Sequence, residues 1–248
     1  MGNCASYCMT DAEEFKHNKS TIEPNPSGDG TAIVKGSEFL YHGDMAKASH
    51  GKEATPHEYG GDKIEMANAN QQPNGSTYIG DRLNGKKHGY GEQIWPDSSR
   101  YVGNWENDQA NGFGTLVHAD GDVYEGQWLN DKAHGKGTYK HANGATYTGD
   151  WFEDKQHGEG VETWPDGARY EGKYKDGKKD GDGVLTFADG SKYTGNFVQN
   201  EISGHGKYVW PDGKTYTGLW DRNKMHGEGV LMWADGKKYE GEFQNDKR

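Results

Sequence analysis

A tyrosine returns every 23 residues, at Tyr78, Tyr101, Tyr124, Tyr147, Tyr170, Tyr193, Tyr216 and Tyr239. A fixed period of this length is the signature of a stacked array, in which one supersecondary unit buries its apolar face only against its neighbours. The copy that begins at Tyr147 shows the unit in full. It reads Tyr147-Thr148-Gly149-Asp150-Trp151, a polar loop from Phe152 to Gln156, His157-Gly158-Glu159-Gly160, and Trp164-Pro165-Asp166-Gly167. Side chains alternate along an extended chain, so Tyr147, Gly149 and Trp151 share one face of a first strand, and Gly158, Gly160 and Trp164 one face of a second.

The aromatic content of these runs and the turn residues that bound them favour strands, and the glycines mark places where a ring or another backbone comes close. Asp120-Gly121, Asn143-Gly144, Asp166-Gly167, Asp189-Gly190, Asp212-Gly213 and Asp235-Gly236 recur at one register. That dipeptide between strands predicts a two-residue hairpin with positive φ. The fold expected is all-β: an extended single-layer antiparallel β-meander ribbon of tandem 23-residue hairpin repeats. With strands about 4.8 Å apart, seven full copies span on the order of 65 to 70 Å.

The pattern resembles the MORN (membrane occupation and recognition nexus) motif, Tyr-x-Gly-x-Trp followed by Gly-x-Gly and Asp-Gly. The likeness covers residues 78–248 as seven copies and a truncated eighth. Tyr174, Phe197 and Phe243 stand where other copies have Trp, and Asn111, Asp180 and Ser203 where they have His. Arg82 and the Asp97-Ser98 turn depart furthest, so the first copy is expected to fray. The resemblance implies a non-enzymatic organiser of cortical membranes, cytokinetic structures, cilia or membrane junctions.

Composition agrees with a thin sheet. Leu, Ile, Val and Phe number 29 of 248 residues, well below the roughly 20% at which disorder is ordinarily inferred. Against that stand 8 Trp, 15 Tyr and 39 Gly, which predict rings packed over glycines in place of a deep aliphatic core.

The amino terminus, Met1-Gly2-Asn3-Cys4-Ala5-Ser6, fits N-myristoylation at Gly2. One such chain holds a membrane only marginally, so a second signal is needed. Lys16 and Lys19 are offset by Asp11, Glu13 and Glu14, which leaves Cys4 and Cys8, the only two cysteines, as palmitoylation sites. The plain alternative is an unmodified start with two free thiols. No apolar stretch reads as a secretory signal or a transmembrane helix. Residues 1–35 read as an acylated, largely disordered tail, with a flexible Glu23–Gly30 linker, and residues 36–77 as degenerate repeats or a cap.

Catalytic and metal signatures fail on inspection. Gly213-Lys214-Thr215 lacks the glycine a phosphate loop requires at Tyr208, and paired glycines such as Gly112 and Gly114 lack the third glycine of a dinucleotide site. His88, His134, His157 and His226 share a register, but equivalent positions lie about 9 to 10 Å apart, too far to meet at one zinc ion. No enzyme activity, metal or cofactor is expected. The net charge of −11 disfavours nucleic acid.

Lys173, Lys175, Lys178 and Lys179 form a local basic cluster that could contact lipid headgroups. The expected function is a lipid-anchored scaffold at the cytoplasmic face of a plasma, cortical or internal membrane, with partner proteins of the cortex or cytoskeleton. The alternative is a phosphoinositide-binding adaptor or regulator of a lipid kinase. Tyr239, Gly241 and Phe243 lie on a last strand that no following strand covers, an edge suited to an antiparallel homodimer or else to a frayed monomer.

Overall fold

A computed structural model describes residues 58–59 and 62–248, with side chains from Gln71 onward. Two strands precede the repeats, β1 (Glu58–Tyr59) and β2 (Asp62–Gln71). Each full copy then contributes a seven-residue and a nine-residue strand. They are β3 (Thr77–Leu83) and β4 (Lys86–Ile94), β5 (Arg100–Glu106) and β6 (Gln109–Val117), and β7 (Val123–Leu129) and β8 (Lys132–Lys140). The middle copies give β9 (Thr146–Phe152) and β10 (Lys155–Thr163), then β11 (Arg169–Lys175) and β12 (Lys178–Thr186). The last give β13 (Lys192–Val198) and β14 (Glu201–Val209), β15 (Thr215–Asp221) and β16 (Lys224–Met232), and finally β17 (Lys238–Phe243). Every strand pairs antiparallel with its neighbours in sequence, so the sheet is an open meander with no crossovers. Among the described residues there is no helix.

The glycines set the register. Gly149 faces Gly160, and Gly160 faces Gly172 on the other side. The same pairing runs from Gly80 to Gly241, giving an unbroken row across the sheet. This row is a floor for the repeat tyrosines. A Cβ on Gly160 would stand 2.5 Å from Tyr147 Cε2 and 2.6 Å from its Oη, so only glycine lets the ring lie down. The hydroxyl at its far end donates to the Asp150 carbonyl at 2.8 Å.

The rings then form one column. Tyr147 meets Trp151 of its own copy at 5.2 Å and Tyr174 of the next at 5.0 Å, both edge to face. The arrangement repeats from Tyr78 to Phe243. Tyr78, Tyr124, Tyr170, Tyr193 and Tyr216 are fully buried, and each edge-to-face pair contributes about 0.5–1.5 kcal/mol beyond its burial. Trp105, Trp128, Trp151 and Trp220 also donate their indole N–H to a glycine carbonyl of the preceding copy, as Trp151 does to Gly137 at 3.2 Å.

The turns differ from expectation. The two-residue hairpin lies in the polar loop, where Glu153 and Asp154 have φ of 47° and 67°, and Asn130 and Asp131 have 51° and 64°. Positive φ at both central residues defines a type I′ turn, which short polar side chains tolerate. The Asp-Gly site is a wider loop. Gly167 N–H donates to the Trp164 carbonyl at 3.0 Å, Trp164 N–H to the Ala168 carbonyl at 3.0 Å, and only Gly167 has positive φ. Pro165 favours an ordinary type I turn at its position, and the Asp166 carboxylate accepts from Ala168 N–H at 3.0 Å, holding Asp166 out of the left-handed region.

Each type I′ turn also locks onto the preceding copy. Asp154 N–H donates to the Ala133 carbonyl, and the Asp154 carboxylate accepts from Ala133 N–H at 2.7 Å. Asp131, Asn200, Asn223 and Asp246 do the same. The expected fraying of the first copy is not found. β2 pairs along the outer edge of β3, and Tyr78 is fully buried, with the Arg82 guanidinium 4.9 Å from its ring centre.

Candidate interaction surface

The tyrosine column seals one face of the ribbon, and the other is open. Along that open face stand the residue between tyrosine and glycine, the residue between glycine and the fourth-position aromatic, and the residue between the two glycines of the second strand. Tyr90 is 60% and Phe113 61% exposed there. Thr138 and Thr148 bridge hydroxyl to hydroxyl at 3.0 Å, and Lys136 pairs with Asp150 at 2.6 Å. Phe113, Lys136, Thr138, Thr148 and Glu159 line a shallow trough across the second to fourth copies. The open face thus mixes exposed rings, hydroxyls and paired charges, and is the candidate interaction surface.

Several open-face polar groups also serve the sheet. A bulge in every first-to-second strand pairing, near Gly158 in β10, frees one backbone N–H. Asp150 accepts it from Glu159 at 3.0 Å, Asp81 from Tyr90 at 3.0 Å, and Gln127 from Lys136 at 2.7 Å. Gly158 and its equivalents take positive φ, from 56° at Gly158 to 106° at Gly181, at this bulge, while the second glycine of each pair makes the floor. Both glycines serve the sheet, in keeping with the structural role read for pairs that lack the third glycine of a dinucleotide site.

The basic cluster is split by the fold. Lys173 and Lys175 are exposed, with Lys173 Nζ 4.0 Å from an Asp182 carboxylate oxygen, and Lys178 donates to the Gln199 side chain at 2.8 Å. Lys179 points to the sealed face. Its side chain is 1% exposed, its ammonium donates to Glu162 at 2.7 Å, and it lies 5.0–5.6 Å from the rings of Trp164, Tyr170 and Tyr174. Tyr174 donates to the same Glu162 oxygen at 2.9 Å, and burial drives its hydroxyl pKa well above the usual phenol value. Lys179 is therefore removed from any headgroup contact, because the second strand brings it under the column and not onto the loop.

The repeated histidines lie early in the second strands, where His134 and His157 pack as rings. His134 and His157 flank Phe152 at 5.3 and 5.7 Å. Where the copies substitute, Asn111 accepts from Asn130 N–H at 3.1 Å and Asp180 from Gln199 N–H at 3.3 Å. Among the described residues no cluster of three or more His, Cys, Asp or Glu side chains could hold a metal ion, and no helix is long and apolar enough to cross a membrane. At the far end, Phe243 is buried against Tyr216 and Tyr239, and β17 pairs on one side only, with β16. Gly2, Cys4 and Cys8 lie outside the described residues.

A single-layer antiparallel ribbon of tandem hairpins with one sealed and one open face defines a class of open β repeat proteins. The MORN repeat model matches residues 78–100, 101–123, 124–146, 147–169, 170–192, 193–215, 216–238 and 239–248. The chain belongs to the MORN repeat family, whose members have membrane-associated or protein-binding roles. No curated protein matches it. Among solved structures it is similar to the TCP domain of SAS-4 (dCPAP) of Drosophila melanogaster in complex with a proline-rich motif of Ana2 (dSTIL), at 14% identity over 77% of this chain and 98% of that one, with a TM-score of 0.40. It is also similar to the TCP10 domain of Danio rerio CPAP in complex with a STIL peptide, at 14% identity over 71% and 99% of the two chains, TM-score 0.17. A third likeness is to virginiamycin B lyase from Staphylococcus aureus, at 10% identity over 72% and 70%, TM-score 0.18.

Proposed function

We propose that this protein is a non-enzymatic scaffold held at the cytoplasmic face of a membrane by acyl chains on Gly2, Cys4 and Cys8, whose open face gathers partner proteins of the cortex or cytoskeleton. The observation that supports the reading most directly is the separation of faces. Ring packing is confined to the tyrosine side, which leaves Tyr90 and Phe113 exposed on the other. Proximity labelling in the native cell tests it, comparing the wild type with Gly2→Ala. The expected result is loss of most membrane-dependent neighbours and release of the variant to the cytosol. With Cys4→Ala and Cys8→Ala together, a weakly bound, exchanging population remains. A membrane fraction unchanged by either variant would reject the anchor.

The adaptor reading now rests on Lys173, Lys175 and Lys178 alone. Vesicles containing a phosphoinositide separate the two readings. The unacylated chain should bind them weakly, and salt should abolish that binding. Tight, salt-resistant binding would favour the adaptor.

A further inference from the structure

The open-face trough has a width and a period, and both restrict what can lie in it. One wall is built by the residue between the paired glycines, Phe113, Lys136 and Glu159 in turn, and the other by Glu125, Thr148 and Glu171. Glycine backbone lies between them, and this stretch has a volume of about 610 Å³. Glu159 and Glu171 also begin a second stretch, which continues to Asp182, Val184 and Thr194 in the sixth copy. Wall positions on one strand are two residues apart, about 7 Å. An α-helix, about 10–12 Å across with its side chains, is too wide to enter, whereas an extended chain fits.

The period selects among extended conformations. Each wall position recurs every two strands, about 9.6 Å. A β-strand turns successive side chains to opposite faces, so three residues on, at about 10 Å, it presents the wrong side. Polyproline II repeats every three residues and about 9.3 Å, so one side chain in three meets the same wall position of each copy.

The walls set the chemistry. Phe113 is 61% exposed. Glu125, Glu159, Glu171 and Asp182 line the two stretches against Lys136, Lys140 and Lys173, and Lys136 is already paired with Asp150 at 2.6 Å. Arg169 holds Glu171 at 2.6 Å and Lys173 stands 4.0 Å from Asp182. Glu125 and Glu159 are exposed and have no ion-pair partner among the described residues. A chain laid along the first wall therefore meets a ring, a neutralised pair, an unmatched carboxylate at Glu159 and a loosely matched one at Asp182.

We propose that the trough takes a basic segment of a partner protein in the polyproline II conformation, with an apolar residue against Phe113 and Lys or Arg six and nine residues along against Glu159 and Asp182. This rests on the scaffold reading and names the chemistry of its partner.

The experiment titrates the purified, unacylated full chain at physiological ionic strength against the fluorescein-labelled peptide Leu-Pro-Pro-Ser-Pro-Pro-Lys-Pro-Pro-Lys and reads anisotropy. The same sequence reversed is titrated too, since either chain direction keeps the period. Binding is expected for at least one direction. An isomer with its two lysines adjacent, equal in charge and composition, should bind about threefold more weakly, because only one ammonium can then meet the wall. Glu159→Gln with Asp182→Asn should weaken the original peptide about tenfold, and Phe113→Ser about fivefold. Glu153→Gln with Glu201→Gln, which removes as much charge at the hairpin tips, should change binding by less than about twofold. No binding in either direction, equal binding of the isomer, or indifference to either set of trough variants would each overturn the proposal. These titrations use neither membrane nor cell, so they can fail while the anchor and the neighbours of the scaffold stand, and the reverse.

Discussion

Gly160→Ala isolates the glycine floor. The φ of Gly160 is not positive, so the backbone accepts alanine there. On backbone entropy alone the change would stabilise by about 0.4–1 kcal/mol. Space decides otherwise. The new methyl would stand 2.5 Å from Cε2, 2.6 Å from Oη and 2.7 Å from Cζ of Tyr147. Gly149 Cα lies directly across the ladder, so neither strand can yield without breaking it. Tyr147 must lift, weakening two edge-to-face contacts of about 0.5–1.5 kcal/mol each and a hydroxyl bond of about 1 kcal/mol, with some residual overpacking strain. A net loss of about 3 kcal/mol follows, within the roughly 3–5 kcal/mol cost of deleting a buried ring outright. A stacked array unfolds by neighbouring units, so the suitable assay is native-state amide exchange in β9 and β10, with the distant copies as internal reference. In a double-mutant cycle, Gly160→Ala should cost almost nothing once Tyr147 is already alanine, a coupling of about 3 kcal/mol. Additive losses, or a stabilised single variant, would refute the packing argument.

Three further outcomes are expected. Glu162→Ala leaves the Lys179 ammonium buried without its partner and should destabilise by about 3–5 kcal/mol, whereas Glu162→Leu with Lys179→Met and Tyr174→Phe, which also removes the hydroxyl that shares the Glu162 oxygen, should be close to neutral by denaturant titration; equal losses in both would deny that the pair is desolvated. Burial pushes the Tyr78 and Tyr216 pKa values up to about 12, so their contribution is fully present below the unfolded value near 10 and is lost as pH rises from about 10 to 12; Tyr78→Phe and Tyr216→Phe should flatten that fall in pH-dependent melts, and an unchanged slope would assign it to other groups. If Tyr239, Gly241 and Phe243 form a dimer edge through β17, light scattering should find a dimer for residues 78–248 and a monomer when the chain ends at Lys238, and the same state in both would exclude this edge.

The period, the two strands per copy and the single layer were legible because tyrosine, glycine and tryptophan each occupy one register in nearly every copy. Turn chemistry was not, because Asp-Gly serves both a type I′ hairpin and a type I turn closed by a left-handed glycine, and dipeptides such as Asn130-Asp131 or Gln199-Asn200 carry no comparable signal. The burial of Lys179 was missed for a different reason. Four lysines close in sequence read as one exposed cluster, yet the type I′ turn at Asp176-Gly177 sends Lys178 and Lys179 to opposite faces of β12. A comparison among copies held the missing signal. Lys179 pairs directly across the ladder with Tyr174, at the place where Ala110 faces Trp105, Ala133 faces Trp128 and Ile202 faces Phe197. Two of the tryptophans are thus opposed by alanine, and smaller rings by longer side chains, which is the mark of a filled volume and not of a free surface. Trp151 with Gln156 and Trp220 with Met225 soften the rule without reversing it.

The same comparison explains how one fold can carry a changing surface. Positions on the tyrosine face are fixed by contacts that reach into the next copy: ring on ring, indole on carbonyl, and turn carboxylate on backbone N–H. A change there is felt in two copies at once. Positions between the paired glycines run Tyr90, Phe113, Lys136, Glu159, Asp182, His205 and Glu228, differing in charge, size and aromaticity with no change in strand register. The residue before the fourth-position aromatic is only partly free, since Asp81, Asn104, Gln127 and Asp150 cap the bulge, while Lys173 and Leu219 cannot accept that hydrogen bond. The residue between the glycines is therefore the one the fold leaves most free to vary, and on the proposed function it is where partner specificity would be written. Because adjacent copies present it about 10 Å apart, a partner that reads several must lie along the ribbon, across the strands.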